Sequence, residues 1–225
     1  MQKVGRYRAI RNLACGWVTH ANHGRDSTER MFHYITELLI IFVAAIAIFS
    51  FQIGWLIFAA AAFIIHTVWW VINGNSHVYM LDSFRFVRNA GIDQELMYIL
   101  WVSEICKRLG VKAVLVYGSF CRKEFHGRSD LDLRIIRDCS ANPLPLLFFA
   151  VHARVISMLR GCPTDLQVVD SEEFLQRQMS DKEYPVDVFG GATLSKIVCS
   201  MRLSDVCENP SIVMKPEREF EAWKK

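Results

Sequence analysis

Residues 38–81 contain no Asp, Glu, Lys or Arg, and this stretch of 44 residues constrains the fold more than any other feature. A helix that crosses a bilayer needs about 20 mostly apolar residues, so the stretch has room for two such helices. Together with the mostly apolar residues 31–37 that precede it, the stretch divides into two spans of about residues 31–50 and 54–72, which a short link separates. The sequence therefore predicts a transmembrane helical hairpin over residues 31–81. A buried helical hairpin of a soluble protein is the alternative.

The charged residues on either side of the hairpin predict its orientation. Residues 1–37 hold six Lys/Arg and three Asp/Glu, whereas residues 82–225 hold twenty of each. Arg85 and Arg88 follow the second span. Because cytoplasmic flanks of membrane helices are enriched in Lys and Arg, both termini and the C-terminal domain are expected in the cytoplasm. The balanced charge after residue 82 gives no strong signal for a nucleic-acid partner, since such proteins usually carry a basic face.

Polar residues within the hairpin allow two interpretations. His66, Asn73 and His77 lie near the end of the second span. Polar groups at membrane depth are often functional, but these three could simply be hydrated at the interface.

Ahead of the first span, Asp26 and Glu29 have the spacing of a helix N-cap and its reciprocal partner. The chain then divides into a basic tail (1–30), the hairpin (31–81) and a C-terminal domain (82–225).

Residues 82–225 have the composition and periodicity of an α/β domain. The patterns predict helices over 93–109, 119–125, 144–160 and 170–179, and strands over 111–117, 130–136 and 164–169. Asp93 and Asp170 are predicted N-caps. Residues 181–225 have no assigned role, although they could add a strand and a helix, with Asp187 near the site. Seven scattered cysteines without a CxxC pair argue against a disulfide framework and against a structural zinc site.

Three carboxylates carry the strongest chemical signal in this domain. Asp130 and Asp132 alternate on one predicted strand, so both side chains point to the same face. Asp165 begins the next predicted strand. Carboxylates this close repel one another unless a cation neutralises them, and Mg²⁺ is commonly shared between carboxylates and substrate phosphates. Upstream, Gly118 and Ser119 end a strand in a pattern that favours phosphate binding by the backbone and a hydroxyl.

The segment VYGSFCRKEFHGRSDLDLRII resembles the signature of the nucleotidyltransferase superfamily, which includes DNA polymerase beta and kanamycin nucleotidyltransferase. In this pattern a hydrophobic residue, Gly and Gly or Ser are followed after about ten residues by Asp-hydrophobic-Asp-hydrophobic. Here ten residues separate Ser119 from Asp130, and Asp165 matches the third acidic position. The resemblance covers residues 93–170. It implies an α/β (α+β) nucleotidyltransferase fold, with a small mixed sheet flanked by helices, preceded here by the hairpin.

The resemblance also implies residue roles. Gly118 and Ser119 would hold the β and γ phosphates of a nucleoside triphosphate, and Asp130 and Asp132 would bind metal. Asp165 would bind the second metal of a two-metal Mg²⁺ or Mn²⁺ site and help to deprotonate the acceptor hydroxyl. Three basic residues in or beside the motif are weaker candidates for phosphate contacts: Arg122, Lys123 and Arg128.

The expected function is a membrane-anchored nucleotidyltransferase that moves a nucleoside monophosphate from an NTP to a hydroxyl or phosphate and releases pyrophosphate. The short domain leaves little room for a large second domain and resembles the minimal members of the superfamily, which implies a small-molecule or protein acceptor. The hairpin adds the idea of a lipid-linked or membrane-bound acceptor, because a shared surface raises the effective concentration. The alternatives are a non-catalytic nucleotide-binding regulator, a membrane scaffold and a toxin–antitoxin component that keeps the fold.

Overall fold

A five-stranded mixed sheet lies at the centre of the C-terminal domain in the computed structural model, which describes residues 14–18, 25–50, 54–73, 76–83, 88–179 and 183–214. Its strands are β1 (Ala113–Tyr117), β2 (Leu131–Ile136), β3 (Thr164–Val169), β4 (Val186–Phe189) and β5 (Met201–Arg202). Their spatial order is β3-β2-β1-β4-β5. The central strand β1 is antiparallel to β2 and β4, while β3 runs parallel to β2 and β5 runs parallel to β4.

Helices precede the sheet and cover both of its faces. They are α1 (Ser27–Ser50), α2 (Trp55–Asn73), α3 (Ser76–Ser83), α4 (Ile92–Arg108), α5 (Leu144–Arg160), α6 (Glu172–Gln178) and α7 (Leu203–Glu208). Successive strand residues point to opposite faces. Val114 and Val116 therefore pack in a core with α4 and α5, whereas Leu115 and Tyr117 pack with Leu175 of α6 on the other face.

Most of the predicted elements of this domain are confirmed, and the differences are local. α5 and β3 have the predicted bounds, and β1 and β2 lie within theirs. Residues 119–123 form successive turns instead of a helix. Asp93 lies inside the first turn of α4, because the helix begins after Gly91. The N-cap of α6 is Ser171, whose hydroxyl accepts a hydrogen bond from the amide of Phe174 at 3.2 Å.

The segment without an assigned role extends the sheet. Residues 186–189 form β4 beside β1, and β5 and α7 follow it. Asp187 pairs with Leu115 of β1, and its carboxylate accepts a hydrogen bond from the amide of Gly191 at 2.9 Å. Asp187 therefore stabilises the turn after β4.

The hairpin helices α1 and α2 are long and apolar enough to cross a membrane. Only 17% of the most apolar window of α1 and 11% of that of α2 are buried. Apolar side chains that face outward include Leu38, Phe42, Leu56 and Ile64. A helical hairpin in a soluble core would bury such residues, so the buried-hairpin alternative does not describe this structure. Residues 51–53 of the link lie outside the described part of the chain.

The first turn of α1 packs on the edge strand β3. Glu29 accepts a hydrogen bond from the amide of Val168 at 2.8 Å, and Asp26 accepts one from the amide of Asp170 at 2.9 Å. Arg154 of α5 ion-pairs with Glu29 and donates to the carbonyl of Leu166 at 2.7 Å. An uncovered edge strand invites pairing with other chains, so these contacts protect the sheet. Glu29 therefore binds the edge strand and Arg154. It does not accept the hydrogen bond from the amide of Asp26 that the capping pattern predicted.

The polar residues of α2 also have protein partners. Nδ1 of His66 lies 2.7 Å from the carboxylate of Glu37 in α1, and Nε2 lies 3.1 Å from the carbonyl oxygen of Trp17. Asn73 is buried, and its side chain accepts a hydrogen bond from Arg154 at 3.4 Å. His66 and Asn73 thus tie the hairpin to its neighbours, and Asn73 is not hydrated. The side chain of His77 lies outside the described part of the chain.

Candidate active site

Asp132 and Asp165 meet on the sheet face that carries α6. They occupy directly paired positions of the neighbouring parallel strands β2 and β3. Tyr117 of β1 pairs with Asp132 on its other side. Asp130 precedes β2 and lines the adjacent cavity. The fold therefore brings together the three carboxylates that the motif singled out, although Asp130 and Asp165 are 35 positions apart in the sequence.

Gly118 is required by the close approach of Asp132. Its φ of 67° lies in the left-handed region that favours glycine. A Cβ built at this position would lie 1.9 Å from Oδ2 of Asp132. The absence of a side chain thus allows the turn after β1 to lie directly against the carboxylate, with the next residue, Ser119, at the cavity wall.

We expect Gly118→Ala to disrupt this site. Alanine in the left-handed region costs about 1–3 kcal/mol of stability, and its methyl group must also displace the Asp132 carboxylate. The affinity for Mn²⁺ with inorganic triphosphate should fall about tenfold or more, as measured by calorimetry on the detergent-solubilised chain. Gly127→Ala is the matched control, because a Cβ there meets nothing within 4 Å. Equal affinities in the two variants would contradict this role of Gly118.

A polar cavity of about 250 Å³ lies beside Gly118. Its lining residues are Ser119, Arg122, Glu124, His126, Arg128, Ser129 and Asp130. The Ser119 hydroxyl is buried and has no hydrogen-bond partner among the described residues, so it can donate to a ligand oxygen. The cavity thus combines an unsatisfied hydroxyl, two arginines and two carboxylates, which suits a phosphate chain with its metal.

The three basic candidates have different surroundings. Arg122 lines the cavity and ion-pairs with Glu183 and, at 3.4 Å, with Glu124. Arg128 also lines it and donates to the carbonyl of Leu81 at 2.8 Å, which links the motif loop to α3. Lys123 is exposed and lines neither this cavity nor its neighbour. Arg122 and Arg128 thus border the cavity, whereas Lys123 does not.

Arg134 is the charged residue that the motif did not reveal. It lies two residues after Asp132 on β2, and its Nη2 is 2.8 Å from Oδ2 of Asp165 and 3.3 Å from Oδ1 of Asp132. Its Nη1 donates to the carbonyl of Asp165 at 2.5 Å. Strand alternation could have indicated that Arg134 shares the face of Asp132. Its contact with Asp165 depends on the pairing of β2 with β3.

The two carboxylates on either side of Arg134 have opposite pKa shifts. Burial raises the pKa of Asp132 to about 7, although Arg134 opposes this shift. Burial also raises the pKa of Asp165, but Arg134 and Arg25 outweigh it and hold that pKa below its ordinary value. Asp165 is therefore the carboxylate whose charge the protein itself stabilises. A further cation beside Asp132 would favour its ionised form.

A second cavity of about 150 Å³ opens on the other side of Gly118. Its lining residues are Tyr117, Gly118, Arg122, Asp132, Arg134, Leu175, Gln178, Met179 and Glu183. Arg122 borders both cavities, and Gly118 of the second cavity is followed directly by Ser119 of the first, so a ligand in one lies next to a ligand in the other. Asp132 faces this second cavity. The arrangement could place two reactants on the two sides of the Gly118 turn.

Asp130 and Asp132 are the residues that fit a divalent cation. In the described ranges, no three His, Cys, Asp or Glu side chains are grouped so that they could hold a metal ion by themselves. Mg²⁺ needs only one or two carboxylates when substrate phosphates complete its coordination. The unsatisfied Ser119 hydroxyl beside Asp130 is consistent with a phosphate at this position. Asp165 fits less well, since Arg134 and Gln167 already donate to its oxygens.

A buried carboxyl group, Glu95 of α4, lies behind the site. Burial and, to a smaller extent, the negative charge of Asp130 together raise its pKa to about 8. Glu95 is thus mostly protonated at neutral pH, so it adds little negative charge to the neighbourhood of Asp130.

Comparison with known proteins agrees with this geometry. The family model described as "Nucleotidyltransferase domain" matches residues 99–204, which include β1 to β5 and all of the candidate site residues. Searches of curated proteins and of solved structures gave no match. The matched segment contains the Gly118 turn and the three carboxylates. The structure brings these carboxylates together at one side of the sheet. Residues 99–204 of this chain are therefore a nucleotidyltransferase domain.

Proposed function

We propose that the chain is a membrane-anchored, metal-dependent nucleotidyltransferase. It transfers a nucleoside monophosphate from an NTP to a hydroxyl or phosphate group and releases pyrophosphate. The observation that carries the proposal is the contact between Gly118 and Asp132, beside the unsatisfied Ser119 hydroxyl. This arrangement supports a phosphate-binding turn next to a carboxylate whose charge a cation would stabilise.

The triphosphate would lie in the polar cavity. Ser119 donates a hydrogen bond to a phosphate oxygen, and Arg122 and Arg128 offset the negative charge of the phosphates. Asp130 and Asp132 would hold Mg²⁺ or Mn²⁺, which would neutralise negative charge on the transferred phosphoryl group. The acceptor would enter through the second cavity, which Asp132 lines, and Asp165 at the paired position of β3 would help to orient the attacking group.

The membrane part of the proposal rests on the exposed apolar helices. Exposed apolar surface of this extent needs lipid or a protein partner to cover it, and both helices have the length of a membrane span. The arginine-rich flanks favour a cytoplasmic position for both termini and the domain. Because α1 packs directly on β3, the site is held close to the bilayer, which favours a lipid-linked or membrane-bound acceptor.

Nucleotide transfer by the full chain in detergent tests the proposal. Each α-³²P-labelled NTP is supplied in turn with Mg²⁺ or Mn²⁺ and a native membrane extract. We expect label from one NTP to enter the lipid or protein fraction, together with release of pyrophosphate. The Asp130→Ala/Asp132→Ala double variant is the control, and its label should fall to background.

The distribution of the label also identifies the acceptor class. Label in the organic phase indicates a lipid, and label in precipitated material indicates a protein. If no NTP gives label although the chain binds NTP, catalysis is excluded under these conditions. The hypothesis of a non-catalytic nucleotide-binding protein then replaces the proposed transferase function.

A further inference from the structure

The positive charge between Asp132 and Asp165 belongs to a side chain of the protein, Arg134. Adjacent strands lie about 4.8 Å apart, so two carboxylates at paired positions repel each other strongly. In this structure the guanidinium of Arg134 lies within 3.3 Å of Asp132 and 2.8 Å of Asp165. The role that a metal ion would have between these carboxylates is therefore already filled by a side chain.

Arg134 is held in this position by the backbone as well as by the carboxylates. Its Nη1 donates to the carbonyls of Asp165 at 2.5 Å and Leu133 at 3.3 Å. Both Nη atoms thus have two acceptors each. The side chain is mostly buried, with 12% of its surface exposed. Removal of the guanidinium from this position would leave several acceptors without a donor.

Asp165 has little capacity left for a metal ion. Arg134 donates to its Oδ2, and Nε2 of Gln167 lies 3.0 Å from Oδ2 and 3.3 Å from Oδ1. A divalent cation at Asp165 would also lie next to a permanently charged guanidinium and would be repelled by it. The third carboxylate of the motif therefore does not fit the second metal of a two-metal site.

We propose that Arg134 takes the place of a second metal ion, so that the site binds one divalent cation, at Asp130 and Asp132. The inference rests on the proposed metal-dependent function and gives it a defined metal content. Arg134 is a positioning residue: it holds Asp132 and Asp165 side by side without touching the reacting atoms. Asp165 then acts as an oriented carboxylate toward the acceptor and not as a metal ligand.

Electron paramagnetic resonance of bound Mn²⁺ tests the metal content without measuring catalysis. The probe is Mn²⁺ with inorganic triphosphate, added to the full chain in detergent. We expect one Mn²⁺ per wild-type chain with the spectrum of an isolated ion. Two metal ions in one site lie about 3.5–4 Å apart and would give a spin-coupled spectrum. A coupled pair in the wild type would overturn the inference.

Two substitutions of nearly equal length separate charge from size. Arg134→Met removes the positive charge, so we expect a second Mn²⁺ and a coupled spectrum. Arg134→Lys keeps the charge, so one isolated Mn²⁺ is expected. One isolated Mn²⁺ in the folded Met variant would show that Arg134 does not exclude the second ion, which contradicts the inference.

A second pair of variants decides the matter if Arg134→Met does not fold. Asp165→Asn should change the Mn²⁺ affinity by no more than about twofold, whereas Asp130→Asn should lower it tenfold or more. A tenfold loss in Asp165→Asn would identify Asp165 as a ligand and overturn the inference. Absence of any bound Mn²⁺ in the wild type would instead contradict the proposed metal dependence, so the two failures are distinguishable.

Discussion

Asp132→Asn should lower nucleotide transfer about 10³-fold while the chain stays folded. Asparagine has nearly the same shape as aspartate but carries no charge, so the side chain can no longer neutralise a cation beside the phosphates. A metal ion contributes several kcal/mol of transition-state stabilisation, and about 4 kcal/mol corresponds to this factor in rate. Initial rates with the labelled NTP identified above measure the effect.

Asp187→Asn is the matched control for this prediction. Asp187 lies on the same sheet face, but its carboxylate accepts a hydrogen bond from Gly191 and lines neither cavity. Its rate should stay within about twofold of the wild type, because the amide oxygen of asparagine can still accept that bond. Full activity in Asp132→Asn would exclude a catalytic role for this carboxylate.

Glu29→Gln should destabilise the whole domain, although the residue lies 125 positions away from its partner Arg154. The substitution leaves the fully buried guanidinium of Arg154 without a counter-ion. Removal of one partner from a buried ion pair typically costs about 3–5 kcal/mol. In a chain of this size we expect a fall in Tm of roughly 10 °C, measured by thermal unfolding in detergent.

A double variant and a surface pair define the controls. Glu29→Gln/Arg154→Met removes both charges, so it should recover part of the lost stability. Glu104→Gln breaks the exposed pair with Arg108, and exposed pairs contribute only about 0–1 kcal/mol. If Glu29→Gln unfolds at the wild-type temperature, the contact between α1 and β3 does not stabilise the domain.

Local sequence patterns predicted the parts of the site that lie on one element. Apolar periodicity placed the helices and strands of the domain within a few residues, and alternation along β2 put Asp132 on a defined face. Gly118 was identifiable because a glycine at the end of a buried strand permits a positive φ and a close approach. The turns at residues 119–123 were missed, since a short apolar segment ending in charged residues also fits a helical turn.

The amino-acid sequence by itself determined the two apolar helices, the strands β1 to β3 with the helices α4 and α5, and the carboxylates of the motif, because each depends on periodicity or spacing within a short segment. Only the tertiary structure decided which distant residues meet. The register of β3 against β2 places Arg134 between Asp132 and Asp165. The docking of α1 on β3 makes Glu29 a partner of Arg154 instead of a local cap. Both contacts join residues that are far apart in the sequence, and they depend on how strands pair and helices pack. The periodicity of a short segment contains no information about either.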